Sequence, residues 1–230
     1  MKPSIKIKMK PSIKFKPLVL LLLVLLVLNS CIGIGMDITL NQNGSGTIAV
    51  EYIISRSIDS LGKLDGNERW NTIPVGKADF MRTLDRIPEM KLLSFSSKEN
   101  ETNFIVNAKM EFDNPRTLMA FLDTGGRRSS FSGDARSGSM VLTLAETRNS
   151  GPWKNDSLDK LIAGISEQYQ IKVSMSFPNE GNLEIKNGQG LSLSGLPGSE
   201  INPAGKKVSF TLPLYEVLTS DEGINVEFRW

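Results

Sequence analysis

Residues 104–112 read Phe-Ile-Val-Asn-Ala-Lys-Met-Glu-Phe, and the alternation in that stretch decides the fold class. Phe104, Val106, Ala108, Met110 and Phe112 fall on one side of an extended chain, with Asn107, Lys109 and Glu111 on the other. A period of two over this length predicts a strand with one buried and one wet face. Parallel sheets are generally covered on both faces, so a sheet wetted on one face is expected to be antiparallel.

Outward from that strand the pattern recurs in Met36-Ile38-Leu40, Ile48-Val50-Tyr52-Ile54, Met140-Leu142-Leu144, Ile171-Val173-Met175-Phe177, Val208-Phe210-Leu212-Leu214 and Ile224-Val226-Phe228-Trp230. Between the first two lies Asn41-Gln42-Asn43-Gly44-Ser45-Gly46, whose Asn-Gly suits a tight hairpin loop. Three segments switch to helical spacing. Phe80, Met81, Leu84 and Ile87 precede Pro88; Leu118, Met119, Phe121 and Leu122 follow Asn114-Pro115 and precede Gly125-Gly126. Leu158, Leu161, Ile162, Ile165 and Tyr169 follow Asn155-Asp156-Ser157. A polar cap, a proline in the first turn and a glycine stop are the expected helix punctuation. Each helix has one apolar face, so the fold class expected is α+β: a mostly antiparallel sheet with about three helices packed on one face.

The amino-terminal segment is of another kind. Six lysines and no acid occupy the first sixteen residues, and an unbroken apolar run follows from Leu18 to Leu28. This is the order of a secretory signal peptide. As a helix the run would reach about half of a bilayer core, and Pro17 and Asn29-Ser30 bound it, so a membrane span is the weaker reading. MKPSIKIK at residues 1–8 is repeated as MKPSIKFK at 9–16; either copy with the apolar run makes a complete signal, so translation can begin at Met1 or Met9. Without residues 1–30 the overall +2 becomes 21 Lys+Arg against 25 Asp+Glu, a formal −4.

Leu28-Asn29-Ser30-Cys31 resembles the bacterial lipobox, with Leu three places before a Cys. In that family the cysteine thiol receives a diacylglyceryl group and the chain is cut in front of it. The resemblance therefore implies Cys31 as the lipid attachment residue and new amino terminus. The opening of the remaining chain, Met36 to Tyr52, is similar to the first hairpin of the LppM-like envelope lipoproteins. What that implies is an envelope α+β domain with lipid contact and no known enzymatic centre. The expected organisation is a lipoprotein signal peptide at 1–30, a lipidated terminus and spacer at 31–35, and a single α+β domain at 36–230. Glycines and prolines mark residues 123–139 and 179–207 as its weakest points, each of which could be a long loop or a hairpin tip instead of a boundary, and 179–230 could form a separate small β region.

The composition restricts the chemistry. With no histidine and one cysteine, the chain cannot build a histidine-based nucleophile pair, a His-ligated metal site, an internal disulfide or a thiolate cage. Catalysis would need paired carboxylates, a Ser/Lys pair or oxygen-ligated metal. Carboxylates occur singly, as at Asp59, Asp65, Glu68, Asp79, Asp85 and Glu89. Gly33-Ile34-Gly35 reads as a flexible spacer and not a phosphate loop. Arg127-Arg128 is read as an exposed loop tip that could otherwise meet an anionic headgroup. Seven methionines remain after residue 30, and they suit core filling or a cavity for an acyl chain.

The expected function is a lipid-anchored, non-enzymatic lipoprotein of the bacterial cell envelope, facing the periplasm or the cell surface. Its partners would be the membrane, through lipid at Cys31, and a lipid ligand or envelope protein bound by the α+β domain; nucleic acid, cofactor and metal are not expected. The alternatives are a purely structural or surface-interaction module and, behind that, a carboxylate-dependent hydrolase.

Overall fold

A computed structural model describes residues 33–56, 75–123, 126, 128–134, 136–147, 164, 166, 169–193 and 195–230. Its elements in chain order are β1 (Ile34–Leu40), β2 (Gly46–Ser55), α1 (Lys77–Leu84), β3 (Met90–Glu99), β4 (Asn103–Phe112), α2 (Pro115–Leu122), β5 (Ser129–Gly133), β6 (Gly138–Ala145), β7 (Gln170–Lys186), β8 (Glu200–Asn202), β9 (Ala204–Pro213), α3 (Leu214–Thr219) and β10 (Ile224–Arg229). The described strands form one open sheet, ordered β3-β4-β2-β1-β7-β10-β6-β5, with β9 on β7 and β8 on β9. β1 runs parallel to β7; the other pairings are antiparallel.

The alternation quoted first works as expected. Val106, Ala108, Met110 and Phe112 of β4 are buried, opposite Tyr52, Val50, Ile48 and Gly46 of β2. Register carries the same face onward: Ile48 opposes Ile38 of β1, Ile38 opposes Met175 of β7, and Met175 opposes Val208 of β9. All of these are at most 1 % exposed. Burying such side chains contributes roughly 1.5–3 kcal/mol each.

β7 is the element that joins the two arms of the sheet. Its residues from Ile171 to Ser176 pair with β1 on one side and with β9 on the other. Its residues from Asn182 to Lys186 pair with β10 instead. The pairing with β9 shifts register between Ser176 and Gly181, the interval that holds Pro178. Proline has no N–H to give to a ladder, so it stands where the pairing is interrupted. Phe210 of β9 and Phe228 of β10 then meet with ring centroids 6.3 Å apart, joining both arms in one core.

Local chemistry explains the connections. In the β1–β2 turn Asn43 Oδ1 accepts from the Ser45 amide at 3.1 Å and its hydroxyl at 2.8 Å, while Gly44 takes a φ of 87° that side chains disfavour. At α2, Asn114 caps as read, its Oδ1 accepting from the Thr117 amide at 3.0 Å, with Pro115 in the first turn. α1 stops at Leu84; Ile87 lies in the turn beyond, its amide bonded to the Leu84 carbonyl.

Several expectations need correction. β1 begins at Ile34 and not at Met36, so Gly33-Ile34-Gly35 is not a loose spacer. Residues 123–139 are no boundary: of the two alternatives, loop or hairpin, they hold the hairpin, β5 and the start of β6 in register from Ser129/Leu142 to Gly133/Gly138. Residues 179–230 do not stand apart, because β7 crosses position 179 and β9 and β10 pair with it; residues 32–230 form one compact unit. The strand expected to run through Leu214 ends at Pro213, and α3, which the pattern did not predict, starts there. The helix expected over 158–169 falls largely outside the described residues; Gly164 and Ser166 are helical. α1 lies against β3, α2 against β5 and β4, and α3 against β9 and β6, so the helices are not clearly gathered on one face.

Candidate functional site

Cys31, the expected lipid attachment residue, lies outside the described residues, which open at Gly33. Gly33 itself is buried and fixed on both sides. Its carbonyl accepts from the Ile53 amide of β2 at 3.0 Å. On the other side Tyr169, the residue before β7, approaches so closely that a Cβ on residue 33 would stand 2.8 Å from the Tyr169 Cβ. The chain is thus seated in the sheet two residues after Cys31.

From that end, β2 and β4 continue past Gly33. Ile53 opposes Ile105, Ser55 opposes Asn103, and the Arg56 amide donates to the Thr102 carbonyl at 2.9 Å. The β3–β4 turn is tied by Asn100, whose Oδ1 accepts from the Thr102 and Asn103 amides at 2.9 and 2.7 Å. Arg56 pairs with Glu99 at 3.1 Å and stands 5.9 Å over the Phe104 ring.

Several of the other described ionisable groups are held by neighbours. Asp79 pairs with Arg82 along α1, and Asp85 is the residue that ends that helix. Glu89 accepts from the Thr117 hydroxyl at 2.6 Å and from Asn114 Nδ2 at 3.2 Å, which holds its carboxyl below the usual range. Asp59, Asp65 and Glu68 lie outside the described residues, as does Arg127. Arg128 is not a free cation: its amide donates to Asp123 Oδ2, and its Nε reaches Glu146 at 3.1 Å. Among the described residues no three His, Cys, Asp or Glu side chains come together as a metal site. Burial pushes the Tyr52 phenol far above its ordinary value, and the Asp79 charge adds to that.

The densest charged group is one the sequence reading missed. Glu227 accepts from Arg229 Nε at 2.7 Å, Lys186 Nζ at 2.7 Å and Ser139 Oγ at 3.0 Å, and Lys186 also meets Glu184 at 2.9 Å. The signal was the outward alternation Glu184, Lys186 on β7 and Glu227, Arg229 on β10, whose register only the fold supplies. Chiefly through the Arg229 bond, and also through Lys186 and Ser139, the Glu227 carboxyl is lowered to about 2. A carboxylate depressed on folding adds stability above its unfolded value, and that stability is lost as pH falls through the folded one. Glu227→Gln should therefore destabilise the domain at neutral pH by on the order of 1–2 kcal/mol, with solvent screening at half-exposed Arg229 included. The difference from the parent should shrink between about pH 4.5 and 2, read from urea midpoints across that range.

Two open grooves mark the described surface. One, of about 490 Å³, lies on the polar face of the sheet along Asp37, Glu51, Ser96, Asn107, Lys109 and Lys172. The other, of about 660 Å³, runs between α1 and edge strand β3, with Met81, Leu84, Met90 and Leu92 between Lys77 and Lys91. Met81 is 38 % exposed there. Met110, Met119, Met140 and Met175 are buried in the core and line neither groove, so most of the methionines after residue 30 fill the core.

No protein-family model, curated protein or solved structure matches this chain. Its function is therefore argued from its own residues.

Proposed function

We propose that the chain is a lipid-anchored lipoprotein of the bacterial envelope, held at the membrane through Cys31, whose β-rich domain is a non-catalytic module for a lipid or an envelope partner. The observation that carries this reading is the position of the single cysteine: it ends a lysine-rich, then apolar, leader and stands two residues before the chain is fixed in the sheet at Gly33. A leader removed at that point leaves the fold intact, since every described element follows it.

The α1–β3 groove supports a partner bound at the surface over one enclosed in the core. It is lined by apolar side chains with Lys77, Asp85 and Lys91 among them, next to a strand whose outer edge pairs with no other described strand. We also infer that α1 and α2 share the core side of the sheet, since Phe80 meets Phe95 at 5.6 Å and Phe121 at 6.2 Å. A carboxylate-dependent hydrolase has less support, because Asp79, Glu89 and Glu227 already spend their oxygens on neighbouring donors.

Replacing Cys31 by Ala tests the anchor. The variant should take up no labelled fatty acid and should leave the membrane fraction, while its urea midpoint stays at the parent value. Continued labelling of Cys31→Ala would refute the assignment.

A further inference from the structure

We propose that the domain sits directly on the bilayer surface, with the β3–β4 turn (residues 100–102) and Arg56 resting among the lipid headgroups. This rests on the lipid anchor at Cys31 and adds to it a docking surface with a lipid surface as its partner.

Reach sets the seating. Gly33 is held between β2 and β7, by the Ile53 amide on one side and Tyr169 on the other. Only Cys31-Ile32 remains as a leash, which fully extended spans about 7 Å. Gly33 is level with Ile53, and Ile53 opposes Ile105 of β4. Thr102 lies three residues further along the same direction, about 10 Å at the rise of a strand. The turn thus projects past the greatest straight reach of the cysteine. It is displaced sideways by two strand spacings, from β1 across β2 to β4, again about 10 Å. A lipid inserted from Cys31 leaves too little chain to hold that turn clear of the headgroups.

The chemistry at the turn suits an interface and not an ionic grip. Asn100, Glu101 and Thr102 are exposed and polar, and Phe104 lies partly buried beneath Arg56. Arg56 and Lys98 are balanced by Glu99 and Glu101, so the leash and not net charge sets the contact.

The test uses the full lipidated chain. Because Cys31 is the only cysteine and its thiol is consumed by lipid, Thr102→Cys supplies a single thiol for a fluorophore, and Gln42→Cys in the β1–β2 turn supplies one at the opposite end of β1. Each protein is reconstituted into phosphatidylcholine vesicles carrying a headgroup-attached nitroxide lipid, and fatty acid on Cys31 is confirmed by mass. Quenching should be several-fold stronger at 102 than at 42, and should persist at high salt, where exposed charge contacts are screened. Inserting eight Gly/Ser residues between Ile32 and Gly33 adds about 15 Å of root-mean-square reach, and should bring the 102 signal down towards that at 42. Equal, weak quenching at both positions on a lipidated protein would overturn the seating alone. So would loss of the difference at high salt, or no effect of the insertion. Absence of lipid on Cys31 would overturn the anchor and the seating together.

Discussion

Phe228→Ala is expected to lower the unfolding free energy by about 3–5 kcal/mol. Phe228 is fully buried on β10, opposite Met140 of β6 and Leu183 of β7, and its ring meets Phe210 of β9. It therefore touches both arms of the sheet at the place where β7 exchanges partners. Truncation removes the transfer free energy of a phenyl ring and leaves a cavity whose walls belong to three strands in fixed register, which can collapse only in part. For a domain of this size the melting temperature should fall by roughly 10 °C. Phe131 provides the comparison: it stacks on Trp230 at 5.9 Å but is only partly buried, and Phe131→Ala should cost clearly less. Equal losses at 131 and 228 would contradict a core centred on the junction of the arms.

Gly46→Ala should be nearly as damaging, although it adds one methyl group. Gly46 opens β2 opposite Leu40 and Phe112, and a Cβ there would fall on the Thr39 carbonyl oxygen and the Phe112 ring, well inside van der Waals contact. Neither neighbour can retreat: one is backbone, and the other is a ring with no exposed surface. Overpacking of this kind typically costs about 1–3 kcal/mol and occasionally more. The upper end is expected here, because backbone must move. Gly190 is the contrast. Its φ of 82° disfavours side chains, but nothing stands within 4 Å of a Cβ, so Gly190→Asn should lose no more than about 1 kcal/mol. Urea midpoints of the three proteins decide between clash and lost backbone freedom as the reason Gly46 is needed.

Those two sites also show what could be read in advance. Strand existence and facing were legible in β1, β2, β4, β6, β9, β10 and the part of β7 from Ile171 to Phe177, because alternate apolar residues there face one core. The cap and first-turn proline of α2 were legible for the same reason: they act within four residues. What was not legible depends on distant partners. β5 reads Ser-Ser-Phe-Ser-Gly, too polar to announce itself, and is a strand because β6 offers it an edge. α3 interrupts an apolar run at Pro213, where the carbonyl of Tyr169 receives the Leu214 amide at 2.8 Å. Gly33 looked like a spacer residue, since its need for smallness comes from Tyr169, 136 positions away. The charged group around Glu227 is likewise assembled by register, from β7, β6 and β10.

For the site, the balance is different. The proposal for Cys31 comes from a local pattern, a basic and then apolar stretch ending Leu28-Asn29-Ser30-Cys31, whereas the nearness of the fold to that position in the chain appears only once Gly33 is seen inside the sheet.

The most direct test of the account is the intact mass of the amino-terminal peptide from the membrane fraction of cells making the full chain. The account predicts a peptide that begins at Cys31 and carries a diacylglyceryl group on its sulfur. A peptide beginning elsewhere, or one beginning at Cys31 with an unmodified thiol, would contradict it.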